Sequence, residues 1–427
     1  MKRLADPDGV LSPGVVLNRD PGAHLCNLKT TPPIEEVASA CVECGFCEPV
    51  CPSRDLTTTP RQRIVLRREI ARQPNGSAVQ EALLEELGYE ALDTCAADGS
   101  CQLACPVGID TGALVKELRA ERHTDRAERA ALATAERWGA IESASRAALR
   151  LGGPLARRTR KGRALPGPAS GRLPTTLVTH RGTSVGERGA LAAIYVPSCT
   201  NRIFGGGPVE ALVAISARAG LPVWIPDDVA GSCCGLPWGS KGFGDAHRHK
   251  ANELVERLWE WSGEGGLPIV VDAASCTGAI AEPGEGTLTE TNAARLGELQ
   301  ILDSVAWAHD RLLPELQILR KLDAAAIHPT CATNGQGNAP RLRALTAALA
   351  DDVYQPSTAT CCGFAGDRGI SHPELTASAT RQEAAELQGR TFDAYLSSNR
   401  TCEIGMTRAT GRPYGSIINA LDRATRP

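Results

Sequence analysis

Cys41-Val-Glu-Cys44-Gly-Phe-Cys47-Glu-Pro-Val-Cys51-Pro52 sets four cysteines at C-x2-C-x2-C-x3-C spacing with a proline directly behind them. Thiolates take up an iron–sulfur cluster with this spacing. Three sulfurs at intervals of three residues wrap a tight loop and converge on one face of a cube. The fourth, set off by Pro52, points away toward a second cluster. A structural zinc knuckle wants two well-separated cysteine pairs, and a disulfide framework wants a short exported chain. Neither pattern fits this run.

Composition narrows the rest. A chain of 427 residues has room for two or three domains with cores of their own. Aromatics make up only 4%, against 43 Gly and 28 Pro, so many turns and loops bracket small apolar elements. A formal charge of −3 gives no global footprint for nucleic acid, and none is expected as a partner. No apolar run reaches the roughly eighteen residues of a membrane span. The N-terminal Met1-Lys-Arg-Leu-Ala-Asp-Pro-Asp-Gly9 has no apolar h-region, so no secretory signal is expected. Sixteen cysteines without an export signal point to metal or redox chemistry in a reducing compartment. The expected location is the cytoplasm, with peripheral contact at the inner face of the membrane compatible with it.

Outward from the first run, Pro33–Ser39 is expected to make about two helical turns leading into Cys41. Before it, Asp6–Gly14 reads as a pair of turns, and Val15-Val16-Leu17 is too short to build a sheet. Behind the run, Thr59 and Pro60 predict an N-cap and first turn for a strongly basic helix at 60–73. Ser77 with Gln80 predicts a second helix at 78–87, stopped at Gly88. Next comes Cys95-Ala-Ala-Asp98-Gly-Ser-Cys101-Gln-Leu-Ala-Cys105-Pro106, in register with the first run except that Asp98 stands where the second cysteine belongs. Three readings of Asp98 stand side by side: an oxygen ligand to one iron, a marker of a three-iron cluster, or a turn residue with another group on that iron. In two-cluster proteins the fourth cysteine of each run serves the other cluster. Cys41, Cys44, Cys47 and Cys105 are therefore expected to hold one [4Fe-4S] cluster, and Cys51, Cys95, Asp98 and Cys101 the other.

Residues 143–186 contain no acid and many arginines, with Pro and Gly crowding the middle, and read as a basic helix end passing into a solvated linker. A patch for an acidic partner or anionic lipid is the sharper alternative. The remainder repeats. Cys199, Cys233-Cys234-Gly235 and Cys276 recur as Cys331, Cys361-Cys362-Gly363 and Cys402, at offsets of 132, 128 and 126 that absorb loop-length changes. Short apolar runs at 191–196, 222–225, 268–271, 324–327 and 392–396 alternate with helical stretches at 207–219, 246–262, 339–350 and 373–388, an α/β pattern. Ligands of open α/β sheets collect at the carboxyl ends of strands, and each cysteine group follows a short run. Burial as small hydrophobes is the plain alternative for these cysteines, but four equivalent positions in both copies favour a further cluster or metal on Cys199, Cys233, Cys234, Cys276, Cys331, Cys361, Cys362 and Cys402.

The doubled Cys-Cys-Gly array resembles the cysteine-rich domain shared by heterodisulfide reductases, the glycolate oxidase iron-sulfur subunit and anaerobic glycerol-3-phosphate dehydrogenases. Cys44–Leu56, Thr59-Pro-Arg-Gln-Arg-Ile64, Cys105–Gly112 and Thr401–Met406 look more closely like the C-terminal half of FAD-linked D-lactate dehydrogenases of the cytochrome- or quinone-reducing type. Relatives with a non-cubane cluster carry a Cys-x-x-Cys pair ending each repeat, whereas here its first position is Ala273 or Asn399. The flavin domain of that family has no counterpart, and no G-x-G-x-x-G turn opens a βα unit.

The resemblance implies an α plus α/β chain: residues 1–29 as the end of a flavin-oxidase domain, 30–120 as a helical ferredoxin-like domain with two clusters, 121–189 as a helical, basic linker, and 190–427 as a duplicated cysteine-rich domain with copies at about 190–290 and 320–427. It further implies an oxidoreductase module that takes electrons from FAD on a partner subunit or domain and delivers them to a quinone or cytochrome. Two other readings compete: thiol–disulfide reduction at the Cys-Cys-Gly crevice, and a fragment whose cysteines bind structural zinc.

Overall fold

The computed structural model describes residues 1–14, 17–26, 31–156, 191–206 and 208–427. Val15 and Val16 and most of the basic linker, residues 157–190, lie outside them.

The helical part begins with Glu36–Ser39, one turn rather than the two expected, because Glu35 and the residues before it stay extended. Helix Pro60–Arg72 starts on a full capping box between Thr59 and Gln62, with Pro60 in the first turn. Its arginines do not form a solvated basic face. Arg63 and Arg68 are buried, Arg67 pairs with Glu35 at 2.6 Å and Arg61 with Glu48 at 3.0 Å. Helix Ala78–Leu87 is capped by Ser77 as the sequence predicts and runs on into one wide turn, Gly88–Asp93. Ile64, Ile70, Leu87, Leu92, Leu114, Val115 and Leu118 form the small core of this part.

Helices Asp125–Glu136 and Trp138–Ala156 carry the chain onto the first cysteine-rich copy. Helix Asp125–Glu136 packs along helix Gly244–Ser262, and Trp138 meets Trp238 edge-on with ring centroids 5.2 Å apart. This stretch is therefore packed structure before it is linker.

Residues 193–427 form two parallel four-stranded sheets. In the first, β1 (Ala193–Val196), β2 (Val223–Trp224), β3 (Ile269–Val271) and β4 (Ile301–Asp303) lie in the order β2-β1-β3-β4. In the second, β5 (Leu322–Ile327), β6 (Ala350–Tyr354), β7 (Ala394–Ser397) and β8 (Tyr414–Ser416) repeat the order as β6-β5-β7-β8. Parallel neighbours need crossovers, and the expected helices supply them: Val209–Arg218, Gly244–Ser262, Ala339–Leu349 and Pro373–Glu386. The central strands are buried throughout β1 and β3, and each Ile or Val sealed there contributes about 1.5–3 kcal/mol. One apolar core runs through both copies, joining Ile194, Leu212 and Ile269 to Ile327, Leu345 and Leu421. Among the described residues, no helix is long and apolar enough to cross a membrane.

Candidate metal centres

The two cysteine runs fold as the same loop. Glu43 and Gly45 in the first, and Ala97 and Gly99 in the second, all take positive φ, at 59°, 87°, 48° and 76°. In each loop the amide two residues on donates to the first sulfur: Glu43 N–H to Cys41 Sγ and Ala97 N–H to Cys95 Sγ, both at 3.4 Å. Left-handed backbone at these points curls the chain around its own sulfurs, and only glycine takes it without strain. Asp98 occupies the backbone position of Cys44.

Two cavities result. The first, about 380 Å³, is lined by Cys41, Cys44, Cys47 and Cys105, with Ile64, Ile109 and Arg61 around them. The second, about 290 Å³, is lined by Cys51, Cys95, Asp98 and Cys101, with Arg63, Pro60 and Gly112. Each run thus lends its fourth cysteine to the other run's cavity. Burial pushes the Cys47 thiol up, and Cys101 up to about 12, so these thiols stay protonated unless a metal takes the proton's place.

Arg63 tests whether the second cavity suits an anionic group. Its side chain is buried, with Nε on the Ala91 carbonyl at 2.8 Å, Nη2 on Ser53 Oγ at 2.7 Å and Nη1 3.7 Å from Cys51 Sγ. Among the described residues it has no carboxylate partner within ion-pair distance. A buried guanidinium needs a counter-charge, and thiolates on a cluster at this cavity supply one. Arg119 adds a second buried guanidinium, donating to the Cys95 carbonyl at 2.8 Å and to the carbonyls of Leu92 and Ser240. At the first cavity Arg68 donates to the Cys41 carbonyl at 2.9 Å, but its charge is matched by Glu43 at 2.7 Å.

The cysteine-rich copies place their cysteines at strand ends. Cys199 opens helix Cys199–Phe204 after β1, and Cys276 lies in the first turn of the helix after β3. Cys331 and Cys402 hold the same places after β5 and β7. The Cys-Cys-Gly turns sit farther from their strands than the sequence suggests, across loops from β2 and β6. Gly235 (φ 80°) and Gly363 (φ 67°) are obligatory: a Cβ would lie 2.7 Å from the His247 ring at one and 3.1 Å from the Leu375 carbonyl at the other. In the first copy Cys199 Sγ and Cys233 Sγ are 3.9 Å apart, and the thiols of Cys234 and Cys276 interact.

The second copy divides its cysteines. Cys362 Sγ and Cys402 Sγ are 3.0 Å apart, and His328 joins them, with all three ligand atoms within 4.8 Å of one another. Cys331 and Cys361 instead come within the same 4.8 Å limit of the Asp98 carboxylate, which also accepts from Ser100. Desolvation holds the Asp98 carboxyl above the usual range. Burial disfavours charge on His328, but Glu383, together with a hydrogen bond to Cys362, outweighs it and holds the imidazole up at about 10. Hydrogen bonding from Cys402, with His328 beside it, brings the Cys362 thiol down to about 6. Cys26, exposed near the N-terminus, is part of none of these groups. Arg63, Arg119, His328 and Glu383 carry no motif signal. For His328, comparing the copies supplies one, because Val196 stands at the equivalent place.

A helical part with two four-donor cavities and a duplicated α/β part with Cys-Cys-Gly turns define a protein of iron–sulfur dicluster and cysteine-rich domains. Residues 37–109 match the 4Fe-4S dicluster domain, and residues 193–281 and 325–407 match the cysteine-rich domain. The chain is similar to the glycolate oxidase iron-sulfur subunit of Escherichia coli (strain K12), 23% identical over 412 residues that cover 91% of this chain and 95% of that protein.

Proposed function

We propose that the chain is the iron–sulfur electron-transfer module of an FAD-linked D-2-hydroxyacid dehydrogenase, working beside an FAD-binding subunit or domain and delivering electrons to a quinone or cytochrome. The observation that carries this reading is the position of Asp98. It lines the second cavity and also lies within 4.8 Å of the Cys331 and Cys361 sulfurs, so the donors of the helical part and of the second cysteine-rich copy meet at one residue.

Cys41, Cys44, Cys47 and Cys105 would hold one four-iron cluster, and Cys51, Cys95, Cys101 and Asp98 the other. Bound there, the clusters supply one-electron chemistry at potentials set by local charge and hydrogen bonds to sulfur. The chain's own charges grade the two sites. Among the described residues neither Arg63 nor Arg119 has a carboxylate within ion-pair distance at the second cavity, whereas Arg68 at the first is offset by Glu43. Added negative charge is therefore better tolerated at the second site, which faces the second copy. D-lactate is the substrate suggested by the segments at Cys44–Leu56 and Thr401–Met406. Glycolate is the second reading, favoured by the name of the similar E. coli protein.

The test is anaerobic mixing of the cluster-loaded chain with an FAD-linked oxidase reduced by D-lactate or by glycolate. Bleaching of the cluster absorption by one of the two pairs is expected. Failure of both to reduce the chain would overturn the reading.

A further inference from the structure

His328 sits directly after β5, its amide donating to the Leu396 carbonyl at 2.9 Å and its carbonyl accepting from Ser397 Oγ at 2.9 Å. Those bonds to β7 fix the residue, and its side chain is fully buried. Nδ1 lies 2.9 Å from both carboxylate oxygens of Glu383, which is itself 2% exposed on helix Pro373–Glu386. Nε2, at the other end of the ring, has no nitrogen or oxygen partner among the described residues. It is a fully buried nitrogen on a ring whose orientation is already set, and the Cys362 thiol interacts with the ring. The sulfurs of Cys362 and Cys402 are what it meets, the three ligand atoms lying within 4.8 Å of one another.

A buried imidazole held on one side by a carboxylate and facing two sulfurs on the other is a ready-made set of metal donors. Carboxylate, imidazole and metal in line is the arrangement by which a protein fixes the tautomer of a ligating histidine and raises its basicity. Two thiolates and one imidazole form an N/S donor set that selects a borderline-soft divalent ion. Three protein donors also meet the number a zinc ion keeps in its open sites.

The first copy makes the comparison internal. At the offset of Cys199 and Cys331, His328 corresponds to Val196, and at the offset of the Cys-Cys-Gly turns Glu383 corresponds to Val255. Both valines are buried in their copy's core. Histidine and carboxylate are thus present together in one copy and absent together from the other. A generic packing role does not need that pairing, since valine fills the equivalent space.

We infer that Cys362, Cys402 and His328 form a mononuclear zinc site, with Glu383 as the residue that orients the imidazole, and that this site is separate from the iron–sulfur clusters. Cys331 and Cys361, turned toward Asp98, lie outside it. The first copy, with valine in place of the histidine, does not make the same site.

Metal analysis of the cluster-loaded full chain, exposed to zinc and then exhaustively dialysed, tests this. The expected result is one tightly held zinc in the wild type and none in His328→Val, the residue of the first copy. Iron, sulfide and the low-temperature EPR of the clusters should be the same in both. His328→Cys, which restores a donor, should keep the zinc and so separates loss of a ligand from loss of fold. Glu383→Gln should retain the ion with roughly 10- to 100-fold weaker affinity in competition with a chromophoric chelator. The inference is overturned if the wild type holds no zinc, if His328→Val keeps it, or if His328→Val loses iron, which would make His328 a cluster ligand instead.

Discussion

Arg202 and Glu142 form a two-point ion pair, Nε to Oε1 at 2.8 Å and Nη2 to Oε2 at 2.7 Å, with side chains 1% and 2% exposed. Glu142 lies on helix Trp138–Ala156 and Arg202 on the helix opened by Cys199, so the pair ties the segment after the helical part to the first cysteine-rich copy. Further bonds hold the pair: Arg202 also donates to the carbonyls of Pro197 and Ser232, and Glu142 accepts from Gly231 N–H. Removing one partner leaves a buried charge uncompensated. Glu142→Ala is expected to destabilise the protein by about 3–5 kcal/mol, measured by denaturant unfolding. A loss under about 1 kcal/mol would mean that water reaches Arg202.

Serine at Cys41, Cys44, Cys47 or Cys105 should each remove the same cluster, because those four side chains line one cavity. The expected outcome is loss of about half the iron and sulfide in the helical part, with the second cluster's EPR signal kept. Any one variant with its full iron and sulfide would break the set.

Arg63→Met should lower the midpoint potential of the cluster on Cys51. The substitution removes a buried positive charge and an N–H aimed at Cys51 Sγ, and both favour the reduced state. A tenfold change in relative stability corresponds to about 59 mV for one electron, which sets the scale to look for in an EPR redox titration. An unchanged or higher potential would show that Arg63 serves packing alone.

The grouping of Cys41, Cys44, Cys47 and Cys105 around one cavity, and of Cys51, Cys95, Asp98 and Cys101 around another, is legible in the sequence because cysteine spacing is local and the fold keeps it. The elements that escape it are those whose signal is weak for physical reasons. β4, β6 and β8 are edge strands, and Ala350-Asp-Asp-Val-Tyr354 and Tyr414-Gly-Ser416 are too short or too polar to read as apolar runs. The basic helix at 60–73 announces itself through its cap but not through its facing, since Arg63 and Arg68 turn inward toward Cys51 Sγ and the Cys41 carbonyl. His328 and Glu383 are 55 residues apart, one directly after β5 and the other on helix Pro373–Glu386 between β6 and β7, and only the fold brings them together.

Asp303 gives the protein a pH dependence of known sign. Its carboxyl is buried at the end of β4, accepting from Val305 N–H at 2.8 Å and Thr277 Oγ1 at 3.4 Å, and desolvation pushes its pKa from 3.8 up to about 7. The folded state therefore holds a proton that the unfolded state releases. The resulting stability is fully present below pH 3.8 and is lost as pH rises through about 7. At about 1.36 kcal/mol per pKa unit the effect is at most about 4 kcal/mol. Denaturant unfolding at about pH 5 and about pH 8, between which most of that loss falls, should show a smaller difference in Asp303→Asn than in the wild type. An equal difference in both would remove Asp303 as its source.

Asp98 stands on the backbone loop that places Cys44 in the first run, lines the second cavity with Cys51, Cys95 and Cys101, and lies within 4.8 Å of the Cys331 and Cys361 sulfurs. A carboxylate is a harder donor than thiolate, so an iron it holds is the one bound least firmly and the first to leave on mild oxidation. The product would be a three-iron cluster. Asp98→Cys restores the thiolate of the first run and should give a four-iron cluster that resists this loss while leaving the Cys41 set unchanged. Asp98→Ala should convert readily to the three-iron form. Low-temperature EPR of the three proteins after graded ferricyanide treatment makes the comparison, with loss expected to rise from Asp98→Cys through wild type to Asp98→Ala. Three indistinguishable spectra would show that Asp98 holds no iron and acts only through Ser100, Cys331 and Cys361.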